Sequence, residues 1–335
     1  MKINRRAALL GLASSCAPHW PALAQQDIVF FRIGTGGNVG TYFPIGGMIA
    51  NAISSPPGSR ACNEGGTCGV LNMIATAVAT DGSAANVAGI AGGRMQSGFA
   101  QADVAHWAAT GTGTFAGRPK VETLRVIANL YPESVHVVAR KGLGIAGVGD
   151  LRGKRVALDE PGSGTLIDAR LILAAYGLSE MDVEAQYLKA RPAGDRLKAG
   201  ALDAFMSVSG WPEPGIAELA AATEISLVPI DGREADTLVK EHPFFARDEI
   251  PRGAYKGVEA VRTISVNALW VSSTRQSNEL IYGVTAALWH PNLRKLLDSG
   301  HPKARSIRLE TALEGIAIPL HAGAERFYRE KGLLK

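Results

Sequence analysis

Short apolar runs alternate along the chain with longer stretches in which apolar residues recur every three or four positions. Residues 27–33, 98–101, 124–130, 135–140, 154–158, 204–208, 225–229 and 264–271 are rich in Val, Ile, Leu and Phe and read as strands. Residues 42–53, 102–110, 280–289 and 309–328 read as helices. The run 166–176 sets Leu166, Ile167, Leu171, Ile172 and Ala175 on one face, and Gly177 stands where a helix-ending glycine is expected. Strand and helix in alternation imply parallel sheet covered by helices, an α/β class. A strand, a glycine-rich turn and a helix occur in that order near Ile28 and again near Arg155. That duplication predicts two α/β lobes with a ligand cleft between them, beyond the carboxyl ends of the strands.

The N-terminus has a different pattern. Lys2, Arg5 and Arg6 precede a short apolar run, and Ala22-Leu23-Ala24 forms a small-x-small site, so residues 1–24 read as an export signal cleaved before Gln25. The run is too short to span a bilayer, which takes about 20 residues. Removing residues 1–24 takes the formal charge from +4 to +1. Basic residues interleaved with aromatics are absent from the remainder, which excludes a nucleic-acid partner, and no later stretch reads as membrane-spanning. Export leaves two of the three cysteines, Cys62 and Cys68, in an oxidising compartment where such a pair closes into a disulfide. Two further ligands for a metal are not evident in the sequence, so no metal or other cofactor is expected.

Gly34-Thr35-Gly36-Gly37 and Gly162-Ser163-Gly164-Thr165 each lead into a helix. Glycines there let main-chain N–H groups approach an anion. The first loop resembles a dinucleotide fingerprint, but Ser54-Ser55-Pro56-Pro57-Gly58 occupies the place of the required carboxylate. In the second loop Pro161 stands where a nucleophile elbow has its first glycine. His136 reads as a buried, hydrogen-bonded histidine or as a ligand contact, and Asp103 as a helix cap rather than an acid catalyst.

Several segments, in order, resemble the TAXI-type solute-binding subunits of tripartite ATP-independent periplasmic (TRAP) transporters. They are Gly40-Thr41-Tyr42-Phe43-Pro44, Ala100-Gln101-Ala102-Asp103-Val104, Leu130-Tyr131-Pro132-Glu133, Asp150-Leu151-Arg152-Gly153-Lys154 and Pro161-Gly162-Ser163-Gly164-Thr165. Val228-Pro229-Ile230-Asp231-Gly232 and Ile318-Pro319-Leu320-His321-Ala322 continue the series. The resemblance implies a two-lobed periplasmic-binding-protein fold of the type II kind, with residues 25–138 and 263–335 in one lobe and 139–262 in the other. It implies a small carboxylate ligand, glutamate or 2-oxoglutarate among them, passed to ion-driven membrane permease subunits, and no enzymatic activity. The expected ligand residues are Thr35, Gly36, Gly37, Ser163, Gly164 and Thr165 as anion donors. Tyr42, Tyr131 and Trp211 serve as flat walls, and Ser83, Asn86 and Gln101 as discriminating hydrogen-bond partners, with His136 nearby. Ser83 and Asn86 are assigned from the resemblance alone. An ATP-driven importer of another small molecule, or an exported α/β enzyme, are the alternatives.

Overall fold

The computed structural model describes residues 27–335, so the expected export signal and Cys16 lie outside the described residues. The first part of the chain forms β1 (Val29–Gly34), α1 (Tyr42–Ile53), β2 (Ser54–Ser55), β3 (Val70–Leu71), β4 (Met73–Val78), α2 (Ser83–Ala91), β5 (Ser97–Gln101) and α3 (Ala102–Thr110). The long strand β6 (Leu124–Arg140) leads into β7 (Arg155–Ala157), α4 (Gly164–Ala175), β8 (Glu184–Gln186), α5 (Ala190–Lys198), β9 (Ala204–Ser209) and α6 (Pro214–Ala222). Then follow β10 (Ile225–Leu227), α7 (Gly232–Glu241), β11 (Phe245–Ile250), β12 (Val261–Ser273), α8 (Asn278–Leu288), α9 (Pro291–Ser299) and α10 (Ala322–Glu330).

One 12-stranded sheet runs in the order β3-β2-β4-β1-β5-β12-β6-β9-β7-β8, with β10 on β6 and β11 on β12. β1 pairs parallel with β4 and β5, and β7 parallel with β8 and β9. β6 and β12 run antiparallel to each other and to β9 and β5, so the sheet is mixed where a parallel one was expected. These two long strands join the two halves of the sheet. β6 pairs with β12 from Leu124 to Ser134 and with β9 from Ser134 to Ala139. Pro132, which lies between the two runs expected as separate strands, sits beside this change of neighbours. There its missing N–H removes little of the ladder.

Burial follows the apolar spacing. Ile45, Ile49 and Ile53 recur every four residues on α1 and are fully buried with Phe31, Trp270 and Tyr328 under the first half of the sheet. Phe205, Leu197 and Ile216 form the core of the second half. A third cluster joins the two through α3 and α4, with Val104 and Ile172 fully buried in it. Beside it, Trp107 meets Phe244 edge to face and His106 meets it at a tilt, with ring centroids 5.8 and 4.9 Å away.

The helix expected over 309–328 forms only from Ala322, because Gly315 takes a φ of +65° and Pro319 interrupts the remaining turn. Cys62 and Cys68 form the expected disulfide, with Cα atoms 4.8 Å apart. Its loop is short, so a Cys62→Ser/Cys68→Ser variant is expected to keep its fold and lose roughly 2–2.5 kcal/mol at most. Thermal melting of both proteins without reductant checks this, and failure of the variant to fold would overturn it. No helix among the described residues is long and apolar enough to cross a membrane.

Candidate functional site

The carboxyl ends of β1, β5, β7 and β9 converge on one cavity of about 90 Å³. Four helices begin at its wall: α1 after Gly40 and Thr41, α2 at Ser83, α4 at Gly164 and α5 at Ala190. Their first-turn N–H groups give that wall a positive potential. Gly82 adopts a φ of +117°, a conformation that favours glycine, where it passes Ser163 of the other side. The approach is sealed by a main-chain bond from Ala85 N to Gly162 O at 3.0 Å. Lys189 spans the mouth, 2.8 Å from Asp81 and 3.5 Å from Glu160.

Acidic groups line the same cavity, next to these helix starts. The Tyr42 hydroxyl donates to Glu133 Oε2 at 2.6 Å. The Ser207 and Ser209 hydroxyls donate to Glu213 Oε2 at 2.8 and 3.1 Å. Burial pushes Glu133 up to about 8 and Glu213 to about 7. Asp159, at a φ of +72°, is raised to about 6 by the same cause. Behind the lining, Asp103 on α3 faces Asp168 on α4, and both are completely buried. The Gln101 amide donates to Asp168 Oδ2 at 2.9 Å, and the Asp103 and Asp168 carboxyls lie within hydrogen-bonding reach of each other. Burial raises Asp103 to about 6 and Asp168 well above the ordinary range, the latter also because Asp103 lies against it. The pair is therefore set to hold one proton between two carboxyls.

The model of one protein family, described as the NMT1-like family, matches residues 33–332. This chain belongs to the NMT1-like family. Among solved structures, a protein from Bordetella bronchiseptica RB50 shares the fold at a TM-score of 0.52. It is 16% identical over 91% of this chain and 82% of that one. The periplasmic aliphatic sulphonate binding protein SsuA from Escherichia coli aligns at a TM-score of 0.44, with 12% identity over 92% of this chain and 89% of that one. A putative L-cystine ABC transporter protein from Listeria monocytogenes aligns at 0.48, with 12% identity over 84% and 98%. The fold is a mixed α/β fold shared with the Bordetella bronchiseptica protein.

In this NMT1-like chain the structure brings eight of the expected residues to the cavity: Gly36, Gly37, Tyr42, Ser83, Gln101, Ser163, Gly164 and Thr165. Ser163 also caps α4, accepting from Leu166 N at 3.0 Å, and Thr165 accepts from Val208 N at 3.1 Å.

Five others stand outside the lining. Thr35 donates to Val78 O at 2.7 Å, and the Asn86 amide donates to Thr35 O and Phe99 O at 2.6 and 2.8 Å, so both pin β1, β4 and β5 together. His136 is buried and doubly bonded, to Ser134 O at 2.9 Å and to the Tyr255 hydroxyl at 2.8 Å. That hydroxyl accepts from Glu213 N at 2.9 Å, so His136 supports the loop bearing Glu213. Burial holds the imidazole down to about 4 and hence neutral. Tyr131 is buried behind Glu133, and half-buried Trp211 packs its ring 4.8 Å from the Lys303 ammonium.

Asp103 is not the N-cap of α3: Gln101 holds that position, and Asp103 lies inside the first turn. Sequence reasoning left out Glu133, Glu213, Asp159 and Lys189 as site residues. One usable signal was the spacing of Ser207, Ser209 and Glu213 after an apolar strand.

Proposed function

We propose that this chain is the exported solute-binding subunit of an uptake system, holding a small carboxylate-bearing solute in the cavity and presenting it to a membrane permease. One observation carries the reading. Helix starts and polar side chains from both halves of the sheet converge on a single small cavity, and only β6 and β12 cross between those halves. Two lobes hinged on those strands would close over a solute and offer the permease a changed surface. Residues 25–138 with 263–335, and 139–262, remain our division into lobes. The pattern of residues 1–24 supports delivery to the periplasm.

Of the two importer classes, the family match and the named neighbours favour the ATP-driven one. The ordered motifs support the ion-driven TRAP class. An uptake assay with the neighbouring permease genes decides between them: dependence on an ATPase subunit selects the first. The enzyme reading finds Ser163 engaged as a helix cap and His136 bonded to Tyr255.

Protein purified from its native periplasm is expected to release a stoichiometric small molecule on denaturation, identified by mass spectrometry. Adding that molecule back should raise the melting temperature by mass action. Absence of any released solute, together with no stabilisation across a metabolite screen, would overturn the proposal.

A further inference from the structure

We infer that the part of the lining bearing Glu133 and Glu213 receives an ammonium group of the ligand, so that the solute is an amino acid or similar zwitterion and not a dicarboxylate without an amine or a 2-oxo acid. This rests on the solute-binding reading above and narrows it. The charge arrangement leads there first. Of the described residues that line the cavity, four are acidic, Asp81, Glu133, Asp159 and Glu213, and Lys189 alone is cationic. Lys189 is already committed to Asp81 and Glu160 across the mouth. A dianion would enter a site that has one engaged cation and a surplus of carboxyls.

Satisfaction of the two glutamates is the second strand. Each is 2% exposed, and each has one oxygen held only by hydroxyls. Their Oε1 atoms accept no hydrogen bond from the described residues, and no Lys or Arg lies within ion-pair distance of either. Lys303 acts on Glu133 only at longer range, its ammonium resting over Trp211. A buried carboxyl in that condition is costly to ionise. An ammonium supplies both the charge and the N–H donors that the free oxygens lack. The ligand's own carboxylate has the N–H groups where Ser83, Gly164 and Thr165 open α2 and α4.

The arrangement fixes the sign of a proton effect. Glu133 and Glu213, raised in the empty site, must ionise to meet an ammonium, so binding releases protons. Affinity then rises with pH through the range 6–8.

The test uses matched pairs differing only at the α position: alanine with pyruvate, aspartate with oxaloacetate, glutamate with 2-oxoglutarate, and leucine with 4-methyl-2-oxopentanoate. Titration calorimetry at pH 6, 7 and 8, in two buffers of different ionisation enthalpy, gives affinity and proton count. At least one amino acid is expected to bind more than tenfold tighter than its oxo acid, with protons released and affinity rising with pH. Glu133→Gln and Glu213→Gln, whose amides imitate the neutral carboxyl and so preserve packing, should each weaken that amino acid more than tenfold. The oxo acid should not weaken with them.

An oxo acid binding as well as its amino partner overturns the inference, and so does an affinity that falls as pH rises. A panel in which nothing binds overturns it as well, whereas a released solute in the mass spectrum would leave the solute-binding reading standing.

Discussion

Replacing Gly164 with alanine is expected to lower ligand affinity by at least tenfold. Gly164 opens α4 from one half of the sheet, and a Cβ on it would overlap the Gln101 side chain from the other half and press on Ser83 Oγ. Gln101 cannot simply turn aside, because its amide donates to the buried Asp168 carboxylate at 2.9 Å. Displacing it would take the Gln101 N–H donor from that carboxyl, a loss of about 1–3 kcal/mol for a buried polar group. The alternative is for the two sides to stay apart, which removes half of the cavity wall. Inside a helix, alanine is favoured over glycine by about 1 kcal/mol, so α4 itself is not harmed. Calorimetry with the ligand identified from the purified protein gives the affinity, and circular dichroism checks that the variant is folded. A folded variant with unchanged affinity would show that Gln101 and Gly164 need not meet in the bound state.

Lowering the pH from 8.5 to about 5 should stabilise the ligand-free protein, raising its melting temperature by roughly 5 °C or more. The buried acids set the sign. Glu133, Glu213, Asp103 and Asp159 are all displaced upward, to about 8, 7, 6 and 6. A carboxyl raised on folding contributes stability that is fully present below its unfolded value, near 4, and is lost as pH climbs through the folded value. The loss therefore accumulates between about pH 4 and pH 8. One unit of displacement is worth about 1.4 kcal/mol, and Asp168 is displaced upward as well.

Asp203 works in the other direction. Arg155 holds it down to about 2, so its contribution is present above the ordinary carboxylate range and disappears as the solution is acidified toward 2. Stability should pass through a maximum in weak acid. Asp168→Asn, which cannot ionise and still accepts from Gln101, should flatten the alkaline side of the curve. Stability that increases steadily from pH 5 to 8.5 would mean that these carboxyls are ionised in the folded protein.

Local chemistry was readable wherever it acted over a few residues. The turns at Gly36–Gly37 and Ser163–Thr165 lie where glycine, hydroxyl and helix start adjoin in sequence, and both reach the cavity. Residues 42–53 likewise read as a helix, and α1 covers that range with Ile45, Ile49 and Ile53 buried. The Cys62–Cys68 pairing followed from two cysteines in one glycine-rich loop.

Elements whose form depends on distant partners were not legible. β6 continues through Pro132 because β12 and β9 meet it from far along the chain, which local propensity does not register. Short strands such as β3 and β8 carry too few residues to show a period.

The acidic wall belongs to the same class. Glu133 and Glu213 stand 80 positions apart, and each has the ordinary appearance of a surface charge in sequence. Asp103 looked like a cap because a carboxylate in a first helical turn usually is one. Only the packing of α3 against α4 turned it toward Asp168 and away from water. The sequence determined by itself where the chain turns, which faces are apolar and where N–H groups are free, because those depend on neighbours within a turn or two. Tertiary structure decided which charges lose their water and which carboxyls face one another. Desolvation and through-space repulsion act between groups that chain order does not bring together.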